Sequence, residues 1–237
     1  MPNLTMEIIA HIHTPFPAKF GIPRQSGLVP ELSGEIVFTP PYRNAEALRG
    51  IEGFSHLWLI WLFSAVQEEG WSPTVRPPRL GGNQRMGVFA TRSPFRPNHL
   101  GLSSVKLENI RFTPDQGPVL TVSGADLMDG TPILDIKPYL PFTDSHPEAK
   151  AGFAEPVKAY ALSVEIPQEI RAQIPPSILQ PLTQILAQDP RPSYQHDPKR
   201  IYGFSFGGLA IRFQVQEGKL LVLSAVPETE SNGLFDK

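Results

Sequence analysis

The side chains of this sequence best suited to chemistry fall in a few short stretches. FGIPRQSGLV carries Arg24 and Gln25. GVFATRSPFRPNHLGLS carries Arg92 and Arg96. ADLMDGTPILDIKPYLP carries Asp126, Asp129, Asp135, Lys137 and Tyr139. The guanidinium group is a planar fork of donors that matches a carboxylate or a phosphate. Pro94 and Pro97 exclude a regular helix between the two arginines of the second stretch, so both sit on a stiff, extended loop. From Trp71 to Leu107 there is no Asp or Glu, while Arg76, Arg79, Arg85, Arg92, Arg96 and Lys106 all lie there. A solvated basic face would account for this. An anion site accounts for it better, because all but one of the cations are Arg and they stand among Pro and Gly residues that fix backbone direction. Asp135, Lys137 and Tyr139 share one face if their stretch is a strand. That arrangement serves a cross-strand ion pair as well as a catalytic cluster. Asp126 and Asp129 also suit turns.

Several chemistries are absent. The chain has no cysteine, which removes disulfides, thiolate metal sites and cysteine nucleophiles. No Gly-x-Gly-x-x-Gly follows a strand, no Walker A loop occurs, and there is no His-Glu-x-x-His. His11 and His13 share a strand face but have no evident third ligand. The Ser55/His56 and Ser145/His146 neighbours point to opposite faces of a strand, so neither is a nucleophile–base couple. A formal net charge of -2 gives no global nucleic-acid signature, and any basic surface must be local. No apolar run reaches the ~18 residues of a membrane-spanning helix. MPNLTMEIIAHIHTPF lacks the basic flank and apolar stretch of a secretory signal, so a cytoplasmic location is expected.

The elements that must hold these residues are read from periodicity. The 237 residues suit one large or two small domains, and 41% hydrophobic content is ordinary for a globular chain. Up to about residue 145, short β-rich runs (MEIIAHI, GEIVF, HLWLIWLF, MGVFAT, SSVKLENIRF, PVLTVSGADL, ILDIKPYL) are separated by turn residues, which predicts an antiparallel sheet or small barrel. NAEALRGIEGF predicts a short helix, and HLWLIWLF, apolar on both faces, a buried central strand. Beyond the polar stretch PFTDSHPEAKAG, VKAYALSVEI reads as a strand. PQEIRAQI and SILQPLTQILAQ read as helical pieces interrupted at Pro, and YGFSFGGLAIRFQVQEGKLLVLSAV as two strands turning at EGK. The expected architecture is mainly β, with a barrel over 1–146 and a small α+β unit over 147–237.

PRQSG, FSHLW, PPRLGG, GVFATRSPFRPN and DGTPILDIKPYLP occur in the order and at the separations of the TsaA-like (TrmO) family, and the sequence resembles its bacterial members. The resemblance is close over roughly residues 5–145 and looser beyond, where LAQDPRPSY is similar to the bacterial proteins. It implies a single-sheeted β-barrel and a homodimer with its cofactor site near the subunit interface. The implied reaction moves a methyl group from S-adenosyl-L-methionine to N6 of N6-threonylcarbamoyladenosine beside the tRNA anticodon. The family's cofactor contacts, carried over by motif, point to Arg24, Gln25, Ser26, Gly27, Leu28, Arg92, Leu102, Leu127, Met128, Asp129 and Gly130. Ser64 aligns where many family members carry His, a departure that puts its cofactor contact in question. Asp126, Asp135, Lys137 and Tyr139 are the candidates for catalysis: an acceptor for the N6 proton and, at Lys137, a partner for the threonyl carboxylate. Arg76, Arg79, Arg85 and Arg96 are expected to form an RNA-binding rim, because anticodon-loop recognition rests on phosphate contact and stacking. Within the loop, Arg92 is assigned to the cofactor and Arg96 to RNA or a neighbouring subunit. Asp189, Arg191 and Tyr194 lie in a Pro-rich turn suited either to placing RNA or to bracing a linker. A non-catalytic RNA- or nucleotide-binding barrel is the alternative function, and no metal is expected.

Overall fold

A computed structural model describes residues 5–77, 84–157, 160–191, 195 and 197–230. Six strands close into an antiparallel barrel: β1 (Ala10–His13), β2 (Ser33–Phe38), β3 (His56–Leu62), β6 (Leu100–Thr113), β7 (Gly117–Ser123) and β8 (Thr131–Pro138), in the spatial order β1-β2-β7-β6-β3-β8. Side-chain direction alternates along each strand, so one face fills the barrel. Strand β3 shows it: Leu57, Leu59 and Trp61 point inward and are buried, whereas Trp58, Ile60 and Leu62 are half-buried on the outside. The core they join includes Ile12, Ile36, Val105, Leu120, Val122 and Ile133. The expectation that β3 is buried on both faces therefore holds for one face only.

The short strands β4 (Thr74–Val75) and β5 (Met86–Gly87) pair with each other outside the barrel. MGVFAT is thus a strand only at its start; Val88–Ala90 forms a 3-10 turn that leads into the arginine loop. The stretch expected to be a short helix at NAEALRGIEGF is instead two 3-10 turns, Ala45–Leu48 and Ile51–Gly53, split by Gly50 in the left-handed region at φ 87°. Asn44 caps the first by accepting from the Glu46 amide.

Helix α1 (Pro141–Asp144) ends the barrel segment. Beyond it, β9 (Ser163–Glu165), β10 (Ile201–Phe206), β11 (Leu209–Gln216) and β12 (Lys219–Pro227) form a sheet in the order β10-β11-β12-β9, with β9 parallel to β12. Helices α2 (Gln168–Arg171) and α3 (Pro176–Ala187) belong to the same unit. Two strands were expected from YGFSFGGLAIRFQVQEGKLLVLSAV and three are present. Gly207 and Gly208, both at positive φ, make a two-residue hairpin between β10 and β11; Gly-Gly in such a turn fits the strands' twist. Helix α3 runs through Pro181 instead of breaking there. Its buried face, with Leu182, Ile185 and Leu186, packs into the second core and outweighs the one hydrogen bond a proline forfeits.

That second core does not belong to the C-terminal residues alone. Phe16, Val29 and Leu32 are buried in it beside Leu186, Phe204, Phe206 and Phe213. The segment that links β1 to β2 therefore lies between the barrel and the C-terminal sheet. No helix of the described residues is long and apolar enough to cross a membrane.

Candidate active site

A cleft of about 480 Å³ opens where this linking segment, the end of β3, the arginine loop, the start of β6 and the β7–β8 loop meet. Its volume lies in the range of small-molecule sites. The walls are part cationic and part apolar. Lys19, Arg24, Arg92 and Arg96 supply the charge, and Trp61, Phe63, Val66, Leu100, Leu102 and Met128 the apolar surface.

Each wall has a local cause. The arginine loop is self-braced. Arg96 donates through Nη1 to the Thr91 carbonyl at 3.0 Å and the Ser93 carbonyl at 3.3 Å. His99, at φ 47°, donates from Nδ1 to the Pro94 carbonyl at 2.7 Å, and its own carbonyl accepts from the Phe63 amide. Arg92 reaches across and donates to the side-chain oxygen of Gln25. Arg24 donates to the backbone carbonyl of Asp189 at 3.1 Å. The loop that carries Arg24 and Gln25 rests on the barrel through a backbone contact: the Gly27 amide donates to the Gly124 carbonyl at 2.8 Å. A Cβ on Gly124 would stand 3.4 Å from the Gly27 backbone, so the approach is close, and the left-handed φ of both residues favours glycine as well.

Asp126 lines the cleft with its carboxyl largely withdrawn from solvent. Burial pushes its pKa up, opposed by the Ser103 hydroxyl, by backbone amides including that of Ser26, and by the charge of Arg92. Ser103 is buried and donates to Asp126 Oδ1 at 2.6 Å, while the Trp61 indole N–H donates to the Ser103 oxygen at 3.0 Å. Trp61 lies flat across Gly101, its partner on β6. A Cβ at Gly101 would fall 2.2 Å from the indole, so only glycine leaves room for the ring. Phe63 packs against Trp61 with ring centroids 4.2 Å apart.

The structure therefore gathers Arg24, Gln25, Ser64, Arg92, Leu102, Asp126 and Met128 around one cleft from distant parts of the chain. Arg96, expected on an RNA rim, lines the same cleft and braces its loop. Other candidates are placed elsewhere. Leu127 is buried in the barrel core, where its carbonyl accepts from the Thr14 hydroxyl at 2.9 Å. Asp129 and Gly130 turn back onto β1: Asp129 Oδ1 accepts from the Thr14 amide and stands 3.1 Å from His13 Nδ1, and the Gly130 amide donates to the Ile12 carbonyl. Ser26 accepts from the Ser104 amide at 3.2 Å, and Leu28 is exposed at the edge. Asp135, Lys137 and Tyr139 share one strand face, as their spacing predicts, but none lines the cleft. Lys137 pairs with Asp135 at 3.2 Å, and Tyr139 packs on Trp58 with centroids 5.4 Å apart. Arg76 directly follows β4 and Arg85 directly precedes β5, where Arg85 donates to the Thr74 hydroxyl at 3.1 Å; Arg79 and Tyr194 lie outside the described residues. Trp61, Phe63, Ser103 and Lys19 were not picked out from sequence. Only the pairing of Trp61 with Gly101, visible once the β3–β6 register is known, could have marked the first of them.

The chemistry of this donor set fits S-adenosyl-L-methionine. Its carboxylate matches the cations, its adenine and methylene arm match the aromatic and aliphatic wall, and its ribose and ammonium match the polar groups of the lining. No group of three or more His, Asp or Glu among the described residues is placed to hold a metal.

Fold and cleft define a closed-barrel protein with a part-cationic, part-apolar small-molecule cleft at the junction with a second sheet. The comparisons make the family plain: residues 11–145 match the tRNA-methyltransferase O N-terminal domain and residues 159–228 the TrmO C-terminal domain, and the chain belongs to this family. It is 42% identical to a tRNA (adenine(37)-N6)-methyltransferase of Escherichia coli, over 96% of this chain and all of that one. It is 51% identical to a protein of the same name from Eikenella corrodens, over 71% of this chain and 95% of that one. A crystal structure of TrmO from Pseudomonas aeruginosa superposes with a TM-score of 0.75 at 33% identity, covering 95% of this chain and all of that one.

Proposed function

We propose that this protein is an S-adenosyl-L-methionine-dependent tRNA methyltransferase that modifies N6 of the adenosine next to the anticodon, in its N6-threonylcarbamoyl form. The observation that carries the reading is the single cleft that collects Arg24, Gln25, Arg92, Leu102 and Met128 around the half-buried, hydrogen-bonded carboxyl of Asp126. The cofactor supplies an electrophilic methyl group on a sulfonium. Arg24 and Arg92 hold its carboxylate, and the Trp61–Phe63 wall takes its apolar surface. Much of the rate gain comes from alignment, which a self-braced loop supplies in advance. Asp126 is the candidate to accept the N6 proton, since it alone of the four catalytic candidates lines the cleft. Desolvation raises the basicity of its carboxylate above that of an ordinary Asp, which favours proton acceptance.

The β4–β5 strand pair with Arg76 and Arg85 forms the tRNA rim, with Arg79 assigned to it from the sequence. The C-terminal unit over 147–237 extends the RNA-contacting surface. The functional unit is a cytoplasmic homodimer, as the family resemblance implies. Nucleoside mass analysis of tRNA from a deletion strain tests the function. Loss of N6-methyl-N6-threonylcarbamoyladenosine, restored by this gene, is the expected result. Its unchanged presence rejects the proposal. Calorimetric titration with S-adenosyl-L-methionine separates an enzyme from a non-catalytic barrel.

A further inference from the structure

The cleft wall formed by Ile22–Gln25 is not fixed by the barrel alone. At the far end of α3 the chain makes a tight turn over Gln188–Arg191. Asp189 adopts φ 53° there, a left-handed conformation that Asp and Asn tolerate better than most residues. Three groups lock the turn. Arg191 grips the Asp189 carboxylate with two parallel hydrogen bonds, Nε to Oδ1 at 2.8 Å and Nη2 to Oδ2 at 2.9 Å. Tyr160 donates its hydroxyl to Oδ2 at 3.0 Å. The Asp189 amide donates to the Leu186 carbonyl at 3.1 Å, which ties the turn to α3. The pair is nearly buried, with side chains 10% and 13% exposed, and charge-assisted paired bonds in such a place are among the stiffest a protein makes.

This turn holds the cleft loop at two points. The Asp189 carbonyl accepts from Arg24 Nη2 at 3.1 Å, and the Gln188 side-chain amide donates to the Leu28 carbonyl at 3.1 Å. Gly27, between them, is held from the other side by Gly124. The segment 24–28 is thus clamped between the barrel and the C-terminal unit. We propose that Asp189 is a positioning residue for the methyl-donor site: its locked turn presets the Arg24–Leu28 loop, so that the C-terminal unit sets donor affinity without touching the donor. The inference rests on the proposed function for the identity of the donor but not for the mechanics of the loop. It replaces, for this turn, the expectation of a role in placing RNA or bracing a linker.

The test joins hydrogen exchange to donor titration on the full chain. In Asp189→Ala, amides of residues 22–28 should exchange about 10-fold faster, while those of β2 and β7 keep their protection. The Kd for S-adenosyl-L-methionine should rise roughly 10-fold, with kcat at saturating donor and tRNA little changed. Asp189→Asn, which suits the left-handed turn and keeps an acceptor, should recover part of the affinity. Tyr160→Phe gives a milder version of the same effects if Asp189→Ala folds poorly. Because Arg24 and Asp189 act as one unit, adding Asp189→Ala to Arg24→Ala should weaken binding less than the sum of the single changes. Unchanged exchange at 22–28, or full additivity, overturns the inference. Failure of the wild-type protein to bind donor overturns the function instead, and the exchange experiment still decides the positioning role.

Discussion

Ser103 donates to Asp126 across 2.6 Å with its orientation set from behind, because the Trp61 indole N–H occupies the other side of the hydroxyl oxygen. The serine proton therefore points at Oδ1. A buried residue that contacts nothing but its neighbours decides which oxygen of the cleft carboxylate is engaged.

Asp126→Asn should lower kcat by about 10²-fold or more, the usual scale for losing a positioned proton acceptor. Stability should move the other way. The folded-state pKa of Asp126 lies above its unfolded value, so the folded state holds the proton more tightly. Stability is then lost as pH rises through the folded pKa, and the neutral amide removes that loss. A melting temperature for Asn equal to or above wild type at pH 7, with activity gone, is the expected pair of results. Wild-type kcat should fall on the acid side, over a range higher than for an ordinary Asp.

Gly101→Ala should destabilise the protein by roughly 1–3 kcal/mol, because the added methyl lands on the Trp61 ring and must displace it. Chemical denaturation checks the magnitude. The displaced indole should also lose its bond to Ser103, so activity should drop more than the fraction unfolded explains.

Acid should loosen the C-terminal turn only below the pH at which an ordinary carboxylate takes up its proton. Burial raises the pKa of Asp189, but the hydrogen bonds and charge of Arg191 and the hydroxyl of Tyr160 outweigh it and hold the group below the ordinary value of 3.8. Its contribution is fully present above that value and is lost as pH falls through the lower, folded pKa. Arg191→Ala removes the pair, and the acid limb of the stability curve should become shallower. Titration of melting temperature between about pH 5 and pH 2 measures both.

Arg85→Ala should weaken tRNA binding and reduce the slope of log affinity against log salt by about 0.7, the value per phosphate for a single strand. Donor affinity should stay at the wild-type level. Filter binding across a salt series, beside donor calorimetry, tells the rim from the cleft.

The antiparallel strands were legible because turn residues separate alternating runs; the pattern allowed an open sheet or a barrel, and the family resemblance pointed to the closed form. The arginine loop was legible because two prolines and an absence of carboxylates leave few alternatives. What the sequence concealed depends on register and long-range packing. Asp135, Lys137 and Tyr139 lie on one face, as spacing predicts, but only the pairing of β8 with β3 reveals that this face carries the Trp58 ring and not the cleft. Ser103 is an ordinary strand serine until Trp61 and Asp126 are brought to it from other strands and loops. Local pattern also misjudged Pro181, where tertiary burial overrode the breaker, and the Gly-Gly hairpin, whose turn chemistry was overlooked.

Phe16, Val29 and Leu32 sit in the C-terminal core although they precede β2. A gene cut after residue 146 would leave those side chains without cover on one product and a gap on the other. Grafting a foreign C-terminal unit onto this barrel must therefore transplant the 14–32 segment with it, or redesign its buried face. The seam between the halves is built partly from the early residues of the first half, and exchange of modules by simple recombination at the linker is disfavoured.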